Sequence, residues 1–417
     1  MTARPTLVVV GAGHVAAAAA RGLRRRGFDG RVIVLGDEPT GPYQRPMLSK
    51  ERLTSATEDG LWLLDAPWCA ANDVEVRTDS RVERIAADTG EVLLFDGSAV
   101  RADLVLVATG GQARQLPGVG GARVHHVRTL ADTDRLRERL QPGRRIGVLG
   151  GGFLGTEVAA AARSRGADVV VVDRDPVLLS RVLGADIGAA VMGLHRDNGV
   201  ELALGQPVQD VRVGPDGVHL SVGATTEVVD DLVVCIGIEP DMAVALRSGL
   251  RVSNGIDVDA QGRTSLPTVF AAGDVAAHDH PRYGRVRVEH VDVAQQQAAA
   301  IAATIAGRPT TFDGPHWFWT DQYDVNLQGL GLSDIRPSDV VVTRGDVAGL
   351  DGSLFWLRHG VVVAAAAIDR GEDVMAAREL IDLAAPVDPE QLRDDTTDLD
   401  ELVETLADAM YDEEVVV

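Results

Sequence analysis

No two cysteines lie close together in this chain. Cys69 and Cys235 are its only two, so no CxxC or CxxxxC dithiol and no cluster-ligand spacing exists, which excludes electron relay through a protein disulfide. Long apolar runs are also missing. VVVAAAAI at 361–368 is far below the roughly 18 residues a membrane-spanning helix needs, and no apolar signal segment opens the sequence, so the expectation is a soluble, cytoplasmic protein. Basic surplus is absent as well: 62 acids face 40 lysines and arginines, a formal charge of −22 that argues against nucleic acid and anionic membranes as partners. Twelve of those acids lie between Val387 and Val417 against the single basic residue Arg393, and that stretch reads as a solvated, partly helical or disordered tail. The ten histidines form no helical metal pair. Neither His125-His126 nor His278-Asp279-His280 has ligand spacing, the latter reading as a solvated loop, and no metal is expected.

What is present is glycine in two repeated fingerprints. GAGHVA from Gly11 follows the strand-like LVVV, and GGGFLG from Gly150 follows IGVL. In each, the first glycine supplies backbone freedom, Gly13 or Gly152 lets the main chain approach a pyrophosphate, and Ala16 or Gly155 lets the next helix pack closely. Alanine-rich helical stretches follow at 14–26 and 155–165, whose N-termini would face the anion. Each helix leads to a second apolar strand ending in an acid, Asp37 or Glu38 in RVIVLGDE and Asp173 in DVVVVDRD, where a ribose hydroxyl is gripped. Two dinucleotides on one polypeptide are the expectation.

The fold class is α/β: two Rossmann-like, glutathione-reductase-type nucleotide-binding domains plus a C-terminal α+β domain. RADLVLVATG, ending at Gly110 and Gly111, marks a crossing point, and DDLVVCIGIEP repeats its strand-then-glycine pattern. SLPTVFAAGDVA and a helix at 291–306 return the chain to its first domain. The boundaries read as 1–112 and 241–320 for the two segments of that domain, 113–240 for the second and 321–417 for the third with its acidic tail. The last of these carries alternating strands (VNLQGL, DVVVT, GSLFWL, GVVVAAAA) and the helix EDVMAARELIDL.

Lys50 is the only lysine beside 39 arginines. It stands in TGPYQRPMLSK, where a compact ammonium rather than a planar guanidinium is wanted.

GPYQRPMLSK, LVLVATGG, GGGFLGTE, VFAAGDVA, RVEHVDVAQQQA and HWFWTDQYD, in this order, resemble the FAD-dependent, NADH-using ferredoxin reductases that serve bacterial monooxygenases and ring-hydroxylating dioxygenases, over the chain up to about residue 395. The resemblance implies FAD and NADH as cofactors. It places Lys50 beside the reactive edge of the flavin, paired with Glu157, and Phe153 where the nicotinamide must stack; these three carry the chemistry. Hydride transfer then needs alignment more than a general acid or base, so no catalytic histidine is proposed. The adenosine ribose falls to Asp37 and a ribityl hydroxyl to Asp274 after Gly273. Arg45, Val82, Ala108, Thr109, Gly110, Arg128, Val291 and Trp319 take further flavin positions. Gly150, Gly152, Gly155 and Asp173 take the nicotinamide dinucleotide. Asp173 favours NADH over NADPH by repelling a 2′-phosphate, although the adjacent Arg174 could bind one.

The implied activity is ferredoxin–NAD(+) reduction, with a 2Fe–2S ferredoxin as partner feeding a cytochrome P-450-type monooxygenase or a Rieske dioxygenase. The molecule would be a monomer or weak homodimer. An NADH oxidase or diaphorase, and an NADH-responsive flavoprotein of the apoptosis-inducing-factor type, are the alternatives. His14, Met47, Val293 and Asp369 depart from the family's pattern, the first two within the flavin pocket.

Overall fold

The computed structural model describes residues 4–415, with side chains up to residue 410. The chain divides into two compact units. The first gathers Met1–Met47, Thr57–Gln112 and Ile238–Gly314; the second gathers Leu48–Ala56, Ala113–Gly237 and Pro315–Val417.

In the first unit five strands lie in the order Val269–Ala271, Leu104–Val107, Thr6–Val10, Arg31–Leu35, Val74–Arg77, all parallel. Their near-continuous apolar runs are what a parallel sheet covered on both faces demands. Successive side chains point to opposite faces. Leu7, Val9, Val32 and Val34 therefore meet Ala16, Ala19, Ala20 and Leu23 of the helix His14–Arg25 and Ala298, Ile301 and Ala302 of Val291–Ile305. Val8, Val10, Ile33 and Leu35 meet Ile85, Val92, Leu94 and Val100 of a three-stranded antiparallel sheet on the other side.

The second unit repeats the plan with parallel strands in the order Val200–Leu204, Asp168–Asp173, Arg145–Leu149, Asp231–Val234, Val124–His125. Its C-terminal portion is a five-stranded antiparallel sheet, Trp317–Gln322, Val325–Leu330, Val361–Ile368, Asp351–Arg358, Val340–Asp346, covered by the helix Gly371–Leu383.

One sequence expectation is sharpened here, its helical alternative holding, and another changes. The acidic stretch forms the helices Pro389–Arg393 and Leu399–Val415, and Leu392, Leu399, Leu402 and Val403 are buried in the C-terminal core, because apolar residues at helical spacing give the acidic helix one dry face. Residues 416 and 417 lie outside the described part. His278 and His280 are not in a solvated loop. They sit in the strand Ala276–His280, are 3% and 2% exposed, and pack edge to face at 5.6 Å with Phe312 against both. Alternation along the strand sends 276, 278 and 280 to the same, covered face.

Candidate functional site

The two glycine turns are built alike. Gly11 and Gly150 both have φ of +112°, and a Cβ on either would collide with a main-chain carbonyl, that of Ala108 at 2.2 Å or of Cys235 at 2.3 Å. Only glycine satisfies both the angle and the approach. Gly13 and Gly152 cap the two helices, and a Cβ on either would meet nothing within 4 Å, so open space lies beside each turn.

Neither helix has a side-chain cap or an acid in its first turn. The helix Leu130–Arg139, by contrast, carries a full capping box from Thr129 and Asp132. Uncapped N–H groups beside open space suit a pyrophosphate, so the donor set fits two dinucleotides.

The acids that follow the turns differ. Gly11 N–H donates to Leu35 O and Gly150 N–H to Val172 O, which puts Gly36 and Asp173 in the same structural position. Asp173 accepts from Gly151 N–H through Oδ2 and from Asp175 N–H through Oδ1 at 2.8 Å, bracing the turn. Asp37 lies one residue further along, exposed and with no hydrogen bond among the described residues. Glu38 instead accepts from Tyr43 Oη at 2.7 Å and pairs with Arg45 at 2.7 Å, an arrangement that fixes the Arg45 loop.

The other first-unit positions cluster near the strand ends. Ala108 N–H donates to Val10 O, Thr109 Oγ1 to Asp241 O, and Asp241 N–H to Gly110 O. Gly273, at φ +77°, donates to Gln297 Oε1 at 2.8 Å and opens the short turn carrying Asp274. Val82 begins a strand and is buried, and Val291 is the first residue of its helix. In the second unit, Arg128 is half-buried, and Trp319 stacks on Trp317 at 5.1 Å.

Lys50 and Glu157 meet in the second unit, Nζ to Oε1 at 2.9 Å, with the lysine side chain 11% and the glutamate 8% exposed. The segment bearing Lys50 is pinned there. Arg52 makes a two-pronged bond to Asp134 at 3.1 and 2.9 Å, Arg165 donates to Thr54 O at 2.7 Å, and Thr133 Oγ1 donates to Leu48 O. Glu157 lies in the second turn of Phe153–Ser164 and is buried rather than facing solvent at the helix start. Its Oε2 accepts from Ser49 Oγ, and its Oε1 also accepts from Thr320 Oγ1 at 2.6 Å. Ser49 thus serves the carboxylate instead of capping the helix Glu51–Ser55, which has no side-chain cap.

Phe153 packs on Phe318 with ring centroids 5.0 Å apart. Burial and the nearby Glu157 carboxylate push the Cys235 thiol up to about 12; behind Gln322, burial pushes the Tyr323 hydroxyl up to about 12 and holds its neighbour His195 below its ordinary range. The Cys235 thiol and the Tyr323 hydroxyl therefore stay uncharged near neutrality.

Ser49, Thr320, Gln322 and His195 escape sequence reasoning. Their bonds to the Glu157 neighbourhood span more than a hundred positions, and no local spacing carries the signal.

The fold and these two turns define a two-dinucleotide flavoprotein class, and residues 5–298 match the pyridine nucleotide-disulphide oxidoreductase family while 317–403 match the reductase C-terminal family. The chain belongs to the pyridine nucleotide-disulphide oxidoreductase family, although Cys69 and Cys235 are both free thiols. It is 41% identical to the ferredoxin–NAD(+) reductase component of an anthranilate 1,2-dioxygenase system from Burkholderia cepacia, over 96% of this chain and 99% of that one. To putidaredoxin reductase from Pseudomonas putida it is 33% identical, over 97% and 98%. Among solved structures, the covalent putidaredoxin reductase–putidaredoxin complex matches with a TM-score of 0.91 at 33% identity, covering 97% of this chain and all of that one.

Proposed function

We propose that this chain is an FAD-dependent ferredoxin–NAD(+) reductase, which takes hydride from NADH and delivers electrons to a 2Fe–2S ferredoxin. The observation that carries the reading is the pair of uncapped glycine turns beside open space, in a chain with full-length similarity to ferredoxin reductases. Bound FAD supplies the chemistry of accepting a hydride and releasing electrons singly, which nicotinamide cannot do.

The chain's own residues bind, orient and exclude. We assign 1–112 and 241–320 to flavin binding and 113–240 to nicotinamide binding. Gly11, Gly13, Ala16, Asp37, Arg45, Val82, Ala108, Thr109, Gly110, Arg128, Gly273, Asp274, Val291 and Trp319 hold FAD, and Gly150, Gly152, Gly155 and Asp173 hold NADH. Lys50, held by Glu157, supplies a fixed cation for the negative charge that arrives with hydride. Phe153, steadied by Phe318, gives the nicotinamide ring a flat neighbour.

With two free thiols and no dithiol, electrons leave through the partner ferredoxin. That ferredoxin serves a monooxygenase or Rieske dioxygenase. No helix among the described residues is long and apolar enough to cross a membrane, and the proposed location is the cytoplasm.

NADH-dependent cytochrome c reduction, with and without a 2Fe–2S ferredoxin from the same organism, tests this. Strong, saturable stimulation is expected. A fast rate indifferent to ferredoxin would replace the reading with an oxidase or diaphorase, and negligible turnover in both with an NADH-responsive flavoprotein.

A further inference from the structure

The strand Trp317–Gln322 presents Phe318, Thr320 and Gln322 to one covered face and Trp317, Trp319 and Asp321 to the other. The covered face runs along the helix Phe153–Ser164: Phe318 meets Phe153, Thr320 meets Glu157 at 2.6 Å, and Gln322 meets Thr156 at 2.8 Å. Thr320 and Gln322 are both fully buried.

These groups form a hydrogen-bond chain with one possible direction. A carboxylate only accepts, so Thr320 must donate to Glu157 Oε1. Gln322 Nε2 donates to Thr156 Oγ1 and, at 3.4 Å, to Thr320 Oγ1, while the Thr156 hydroxyl proton is directed to the carbonyls of Gly152 and Phe153 at 3.0 Å. The Gln322 carbonyl is left facing His195, which must donate through Nε2 at 2.8 Å. Within this chain Thr320 alone donates to Glu157, and Gln322 backs it through the longer 3.4 Å contact to Thr320 Oγ1.

Lys50 has a second carboxylate within reach. Asp321 Oδ2 stands 4.0 Å from Nζ and is 45% exposed, so the ammonium can choose between a buried and a solvated partner. The other charged or titratable groups near the pair are Arg52 and Asp134 beside the Lys50 segment and Cys235 near Glu157, with His195 behind Gln322 and Tyr323 packed on His195. Ser49 on Oε2 and Thr320 on Oε1 hold the Glu157 carboxylate in one orientation, the one that keeps Lys50.

We propose that Thr320, backed by Gln322, is a positioning residue that fixes the Lys50–Glu157 pair and keeps the ammonium from turning to Asp321. The inference rests on the reading that Lys50 serves the flavin.

Because Lys50 is the only lysine, selective ¹³Cε-lysine labelling of the holoprotein gives one side-chain signal, and its relaxation reports how firmly the ammonium is held. Thr320→Val is expected to mobilise that signal and to slow the limiting rate of flavin reduction by NADH roughly tenfold, with NADH affinity unchanged. Thr320→Ser, which keeps the hydroxyl, restores both. Gln322→Leu breaks the chain one bond further back, does the same to a smaller degree, and decides the matter if Thr320→Val does not fold. A Thr320→Val protein with wild-type lysine order, or a folded Thr320→Ser protein that stays mobile, overturns the proposal. If Lys50→Met is reduced as fast as wild type while Thr320→Val still frees the lysine, positioning is upheld and the flavin role of Lys50 falls instead.

Discussion

Gly155 lies over the carbonyl of Gly150, so close that a Cβ at position 155 would stand 1.8 Å from the Gly150 oxygen. The corresponding step of the first turn is Ala16, which is fully buried and packs its methyl without such a clash. The two turns are therefore not interchangeable.

Gly155→Ala must push the helix off its turn, with an overpacking cost of about 1–3 kcal/mol. Thermal unfolding is expected to move down accordingly and NADH titration to show weakened binding, while FAD content stays at the wild-type level. Unchanged NADH affinity would mean that the turn relaxes freely and that its tightness has no part in binding.

Asp173 combines a negative charge with two bonds to main-chain N–H groups, Gly151 of the glycine turn and Asp175 of its own loop. Asp173→Ala removes both, so kcat/KM for NADPH relative to NADH is expected to rise by roughly tenfold as the repulsion of a 2′-phosphate is lost. NADH binding should weaken at the same time because Gly151 loses its brace. The comparison of kcat/KM for the two cofactors, wild type beside variant, decides; an unaltered ratio would remove Asp173 from cofactor choice.

Burial, followed by the charge of His278, pushes His280 down to about 4, and burial lowers His278 also. His280 is therefore neutral in the folded protein near pH 7, whereas in the unfolded chain it takes up a proton near pH 6.5. A lowered folded value makes the stabilisation complete above that pH and loses it as pH falls toward 4. From about pH 7 to pH 5 the protein should lose roughly 1–2 kcal/mol through these groups. Urea unfolding at the two pH values measures the loss, and His280→Phe should flatten it. A variant as acid-sensitive as wild type would place the effect elsewhere.

The nucleotide-binding framework was readable because its signals are local. LVVV and IGVL fall within the strands Thr6–Val10 and Arg145–Leu149, and the helices observed at His14–Arg25 and Val291–Ile305 lie within the stretches their periodicity marks. Lys50 stood out by its rarity, whereas Glu157 was reached only through the resemblance to ferredoxin reductases.

What sequence could not deliver is orientation. His278-Asp279-His280 looks polar as a string, yet the strand turns its two histidines inward and leaves only Asp279 exposed. Nor does HWFWTDQYD announce that Thr320 and Gln322 carry its buried polar contacts, since their partners come from a helix more than a hundred and fifty residues earlier.

The polypeptide passes between its two compact units five times, and the excursion Leu48–Ala56 is one small loop of that weave. During synthesis, then, Ser49 and Lys50 leave the ribosome early, Glu157 much later, and the last donor of the carboxylate waits for Thr320. Neither unit can be finished while the chain is still short, so native assembly is a late, long-range event rather than a vectorial one. No single proteolytic cut can release either unit as one continuous fragment, and a nascent chain halted before residue 315 would carry its lone lysine beside a carboxylate still lacking the hydroxyl of Thr320.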